Sequence, residues 1–167
     1  MLATLEASPM QPAPRLRPIV LPAPEQVRTV ALSVAVDADA RRISQALTVP
    51  EYLEAWICMP DHAGDSQIVA SKREDGYRLD QIRAGCFVAS FIGSFLFCHQ
   101  RKMRLSWRDV ADPGMTESLV DFRIRGNFAS SILELRHTAL PSAREFFWYQ
   151  QFWGVSLARL ATILRSA

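Results

Sequence analysis

Pro141-Ser-Ala-Arg-Glu145-Phe146-Phe-Trp-Tyr149-Gln-Gln-Phe-Trp153-Gly-Val-Ser-Leu157-Ala-Arg-Leu160-Ala-Thr-Ile-Leu164 is the stretch whose reading decides the fold. Pro141 and Ser142, with Glu145 three residues on, form a helix start in which the Ser and Glu side chains cap each other's backbone amides. Phe146, Tyr149, Trp153, Leu157 (or Val155), Leu160 and Leu164 then recur every three or four residues, the period of one apolar helix face. Phe147, Trp148 and Phe152 widen the stripe in its first half. About 24 residues at about 1.5 Å each predict a helix about 36 Å long. A helix with so broad an apolar face needs a sheet to lie against.

The preceding segments supply that sheet. Residues 102–110 alternate, with Met103, Leu105 and Trp107 facing one way and Lys102, Arg104 and Arg108 the other. In 119–125, Val120, Phe122 and Ile124 point inward, and Asp121, Arg123 and Arg125 outward. In 130–138, Leu133, Leu135 and His137 share a face opposite Glu134 and Arg136. Such one-sided alternation marks an antiparallel sheet with one solvated face. Residues 86–100 are a long β-rich run in which Phe87, Ala89, Phe91, Gly93, Phe95 and Phe97 share parity, and Gly93 predicts a bulge or bend. Residues 67–72 and 77–82 flank Arg73-Glu-Asp-Gly76, a hairpin turn signal, and Asp112-Pro-Gly is a further turn.

The first strand, 27–36, places Val30, Leu32, Val34 and Val36 on one face. Residues 37–39 offer helix caps. Ile43, Ala46 and Leu47 then fall at helical spacing, and Pro50 ends that helix. Residues 51–56 read as a second short helix with Tyr52, Leu53 and Trp56 toward the core, and 61–65 as loop. The expected class is α+β: a curved antiparallel sheet of about seven strands, two short helices after strand one, and a long C-terminal helix.

Composition narrows the function classes. The 167 residues carry 19 Lys+Arg against 17 Asp+Glu, and this near-neutral +2 argues against a dedicated nucleic-acid binder. With 49 % hydrophobic residues at this length, a full core needs no disulfide or metal staple. Residues 1–25 hold six of the ten prolines and no aromatic residue, so they read as an extended or disordered tail preceding one domain, 26–167. No run approaches the roughly 18 apolar residues of a membrane span, and no secretory signal pattern is present. Cys58, Cys86 and Cys98 are odd in number and lack C-x-x-C spacing, so they read as reduced thiols of a cytoplasmic protein. Cys98 and His99 are adjacent on a strand and point to opposite faces. They therefore do not start a zinc site. Phosphate-loop motifs and the nucleophile-elbow motif are absent, and neither a cofactor nor a metal is expected.

The order of elements and several segments resemble the START-like, or SRPBCC, helix-grip superfamily. Within it the chain looks most like the bacterial family named after the activator of the ninety-kilodalton heat-shock-protein ATPase. The stretch Asp37-Ala-Asp-Ala-Arg-Arg-Ile-Ser-Gln-Ala-Leu-Thr-Val-Pro-Glu-Tyr-Leu-Glu-Ala-Trp56 is similar to the family's opening. Gly93-Ser-Phe-Leu-Phe with Lys102-Met-Arg-Leu-Ser-Trp107 resembles its central strand pair. Ser131-Ile-Leu-Glu-Leu-Arg-His137-Thr-Ala-Leu140 is similar to "T-x-l-x-l-x-H-x-g-l", with Ala139 where that pattern has Gly. Gln151-Phe-Trp153-Gly-Val-Ser-Leu-Ala-Arg-Leu160 is similar to "g-W-x-x-x-l-x-x-L", with Phe152 in place of Gly. The resemblance covers about residues 27–165 and implies a curved sheet gripping the C-terminal helix, with a hydrophobic small molecule bound between them.

The expected lining of that cavity is Trp56, Phe87, Phe91, Phe95, Trp107, Phe122, Leu133, Leu135, His137, Tyr149, Phe152 and Trp153. The same rings could instead fill the space, since large rings pack well. His137 would orient a ligand or move a proton, or simply be a buried His bonded to its neighbours. The first functional reading is thus binding of a small hydrophobic or amphipathic molecule, without a catalytic set. The alternatives are a cyclase/dehydratase-type enzyme with His137 as general acid/base, and a protein-interaction module. A homodimer stays open, and neither nucleic acid nor membrane is an expected partner. Lys102, Arg104, Arg108, Arg123, Arg125 and Arg136 form a basic outer sheet face interleaved with Glu117, Asp121 and Glu134. Cross-strand pairs explain it; an acidic partner is the other reading.

Overall fold

The computed structural model describes residues 27–60, 66–110, 117–126 and 130–166. The Pro-rich tail, the 61–65 loop and the Asp112-Pro-Gly turn lie outside the described residues. Strand β1 (Arg28–Val36) is followed by helices α1 (Ala40–Thr48) and α2 (Pro50–Trp56). Strands β2 (Ser66–Arg73), β3 (Gly76–Arg83), β4 (Cys86–His99), β5 (Lys102–Asp109), β6 (Ser118–Gly126) and β7 (Ser131–Leu140) come next, then helix α3 (Ala143–Ser166). All seven strands form one antiparallel sheet in the order β1-β7-β6-β5-β4-β3-β2.

Local chemistry sets the ends of these elements. Asp39 caps α1 by accepting the Arg42 amide at 2.8 Å, and Pro50 starts α2, where its missing N–H costs nothing. At α3 the reciprocal cap is present: the Ser142 hydroxyl accepts the Glu145 amide at 3.1 Å, and the Glu145 carboxylate accepts the Ser142 amide at 3.0 Å. The β3–β4 connection is a two-residue turn with Ala84 at φ 48° and Gly85 at φ 78°. Positive φ at both central residues gives a turn whose twist matches the flanking strands.

Helix α3 lies against β1 and β7, while α2 bridges to β2 at the far edge of the sheet. The inward parities of β5, β6 and β7 hold: Met103, Leu105, Trp107, Val120, Phe122, Ile124, Leu133, Leu135 and His137 are all buried. Two inferences from parity do not. Pairing of β3 with β4 shifts register between Gln81 and Ile82, opposite Phe87 and Ala89. Pairing of β4 with β5 shifts again between Phe95 and Phe97. Each inserted residue reverses the facing of what lies beyond it. Phe87 is accordingly 73 % exposed and Phe97 50 % exposed, so neither shares the inner face with Phe91. Gly93 is not itself the bulge; a Cβ there would stand 3.0 Å from the Tyr77 ring and 3.2 Å from Leu105. The stripe of α3 also narrows: Phe147 and Val155 are exposed, and Leu157 rather than Val155 faces inward.

Candidate functional site

Of the rings expected to line a cavity, Phe91, Trp107, Phe122, Phe152 and Trp153 form one contact cluster. Phe91 stacks on Trp107 at 5.7 Å between centroids and on Trp148 at 5.8 Å. Trp107 meets Trp153 at 5.3 Å, Phe152 stacks on Trp148 at 5.1 Å, and Phe122 meets Trp153 edge-on at 5.8 Å. Offset and edge-on pairs at these separations contribute about 0.5–1.5 kcal/mol each beyond burial. Phe152 is central to the cluster and fully buried. Where the resembled pattern has glycine, this chain has a phenyl ring between sheet and helix.

His137 sits against this cluster, with the Tyr149 ring edge-on at 4.2 Å. Its Nδ1 accepts the indole N–H of Trp153 at 3.0 Å. That bond leaves the ring proton on Nε2, which lies 2.7 Å from the Ser118 hydroxyl. Ser118 in turn donates to the Trp107 carbonyl at 3.1 Å. Every polar atom in the chain Trp153–His137–Ser118–Trp107 carbonyl has its partner. Burial lowers the His137 pKa to about 3, so the ring is neutral at neutral pH. With both nitrogens engaged and no exposed surface, neither a lone pair nor a proton is left for a substrate. Burial likewise pushes the Tyr149 phenol up, and the Trp107 side chain partly offsets this. The Trp107 indole N–H itself has no well-formed hydrogen bond.

The remaining expected lining residues divide in four. Leu133 and Leu135 are fully buried core. Phe95 is half-buried beside Tyr77, at 5.8 Å. Trp56 clamps α1 to α2 by donating to the Ala46 carbonyl at 2.8 Å, and it borders a pocket of about 180 Å³ beside Leu160 and Leu164. Phe87 stands apart on the surface, as above.

A larger pocket lies where α2, β2 and α3 meet, a place the spacing arguments do not reach. It measures about 610 Å³ and is lined by Glu51, Glu54, Ala55, Ile57, Cys58, Met59, Ser66, Gln67, Ile68 and Arg159. Ile57, Met59 and Ile68 are buried and make its apolar floor; Glu51, Glu54 and Arg159 are exposed and make a charged rim. The floor is tied to α3 by Ser156, whose hydroxyl accepts the Cys58 amide at 3.0 Å and donates to the Cys58 carbonyl at 3.2 Å. Glu54 accepts the Ala70 amide at 2.8 Å, blunting the β2 edge. Gln81 pairs directly with Ile68 across the strands, and its side-chain NH₂ is buried without a partner. Sequence reading missed Ser118 by starting that strand at residue 119. The hydroxyl lies on the inward parity of Val120 and Phe122, which was the available signal.

No family model matches the chain, and no curated protein matches it. Solved structures do. Protein CV1439 from Chromobacterium violaceum is 19 % identical, with TM-score 0.69 over 81 % of this chain and 96 % of that one. CalU16 from Micromonospora echinospora is 22 % identical, with TM-score 0.58 over 83 % and 76 %. The Aha1 dimer from Colwellia psychrerythraea is 14 % identical, with TM-score 0.60 over 82 % and 96 %. At these identities the likeness shows the fold alone: a curved antiparallel sheet packed on a long C-terminal helix.

Proposed function

We propose that the protein binds a small amphipathic molecule at the α2–β2–α3 pocket, at one end of the space between sheet and C-terminal helix. The observation that carries this is the pocket itself. Its volume of about 610 Å³ falls within the roughly 300–1,000 Å³ of small-molecule sites. Its apolar floor would bury ligand surface at about 25 cal/mol per Å². Glu51, Glu54 and Arg159 on its rim suit a ligand with a polar or charged end.

This reading moves the proposed site away from the twelve-residue lining expected from sequence, none of which lines this pocket. The likeness to the heat-shock-ATPase activator family is compatible with it and adds no ligand. A cyclase/dehydratase role for His137 is not favoured, because both ring nitrogens are already bonded. The test is native mass spectrometry of the protein purified from its own host, beside an Ile68→Trp variant. We expect a co-purifying small molecule with the wild type and its loss from the variant, whose fold is checked by circular dichroism. A ligand retained by Ile68→Trp but lost from Phe152→Trp would place the site in the ring cluster instead.

A further inference from the structure

The outer sheet face carries more cations than its acids can pair. The strand register builds two rows across it. In one, Phe97, Arg104, Asp121 and Arg136 stand side by side on β4, β5, β6 and β7; in the other, His99, Lys102, Arg123 and Glu134 do. Directly paired residues point to the same face. Asp121 is taken by Arg104 in a two-pronged pair at 2.7 and 3.1 Å, and Glu134 by Arg125 at 3.2 Å. Among the described residues Lys102, Arg123 and Arg136 have no ionic partner, and all three are exposed. Five cations and two acids, a net +3, line one depression of about 280 Å³.

Stability alone does not account for this arrangement. Lys102 and Arg123 are directly opposite, and like charges in that position repel. Arg136 lies diagonal to Arg123, at the roughly 7–8 Å of such neighbours. Arg123, flanked by Lys102 directly on one neighbouring strand and by Arg136 diagonally on the other, gathers three cations that match a dianion with several terminal oxygens better than a single carboxylate, and guanidinium forks bind such oxygens two at a time. Phe97, half exposed beside Arg104, offers an apolar surface at the rim. We propose that this depression binds the phosphate group of a small phosphate monoester, with the organic part against Phe97. The site is on the opposite side of the sheet from the ring cluster and is independent of the pocket above.

The test titrates the full chain with inorganic phosphate and with phenyl phosphate at low ionic strength, followed by amide chemical shifts. Both are expected to bind, with shifts clustered on β5, β6 and β7 and phenyl phosphate the tighter. The double variant Arg123→Gln/Arg136→Gln should weaken both by about tenfold or more, the scale of lost charge-assisted hydrogen bonds. Phe97→Ser should remove the preference for phenyl phosphate while keeping inorganic phosphate. These positions are solvent-exposed, and an unchanged Tm verifies that the variants fold. Undiminished binding by the double variant overturns the proposal. So does attachment to phosphatidylserine vesicles with no response to either soluble phosphate.

Discussion

The ring cluster and the α2–β2–α3 pocket are built from the same sheet and the same C-terminal helix, yet they leave opposite residues of chemistry. In the cluster, aromatic volume fills the space and the His137 chain consumes its own donors and acceptors. In the pocket, an apolar floor meets exposed charge on Glu51, Glu54 and Arg159. A histidine among rings invites a catalytic reading from sequence. The donor left over in the cluster, the Trp107 indole N–H, is enclosed among Phe91, Phe152 and Trp153, whereas the charged groups at the pocket rim face solvent, where a ligand can reach them.

Phe152→Ala is the strongest way to break the comparison. If the cluster is packed solid, losing that ring costs about 3–5 kcal/mol, measured by urea unfolding. The vacated space would be apolar and dry, so benzene should recover part of the loss. A near-neutral Phe152→Ala would mean the interior is already hollow, and the distinction between the two regions would collapse.

Titration sharpens the same contrast. The folded His137 has a pKa of about 3, against about 6.5 for the unfolded side chain. The unfolded chain therefore binds a proton that the folded chain refuses. The stabilisation is complete above pH about 6.5 and is lost as pH falls toward about 3, at about 1.4 kcal/mol per pH unit. Stability curves of wild type and His137→Gln should converge over that window; parallel curves would mean that the ring protonates freely in the folded state.

A smaller effect is expected at Ala139, where φ is 64°. An L-residue in this left-handed region is strained, and glycine is not. Ala139→Gly should therefore raise stability by about 0.5–1 kcal/mol, seen as a higher Tm, after allowing for the extra freedom of the unfolded chain. The smallest change belongs to Phe87→Ser. With the ring 73 % exposed, unfolding free energy should move by no more than about 0.5 kcal/mol. A loss comparable to that of Phe152→Ala would return Phe87 to the core.

Periodicity carried the reading furthest where pairing is regular. The parities of β5, β6 and β7, the capping box at Ser142 and Glu145, and the two short helices follow from spacing that neighbours only reinforce, although Tyr52, expected toward the core with Leu53 and Trp56, is exposed. Reading failed at β4, because a bulge is a property of two paired strands, and Phe87 and Phe97 share parity with Phe91 only if none intervenes. The residues of the larger pocket had no pattern to find. Ile57, Met59, Ile68 and Arg159 come from three elements that meet only when α2 bridges from α3 to the sheet edge.

What the sequence determined by itself was the class of the fold and the sidedness of most strands, since both depend on contacts repeated at fixed short spacing. Whether the aromatic space was full or open depended on ring positions from β4, β5, β6 and α3 set within a few ångströms of each other. The partners of His137, and which cations of the outer face stay unpaired, depended likewise on register between strands. Those are long-range distances, and only the tertiary structure decides them.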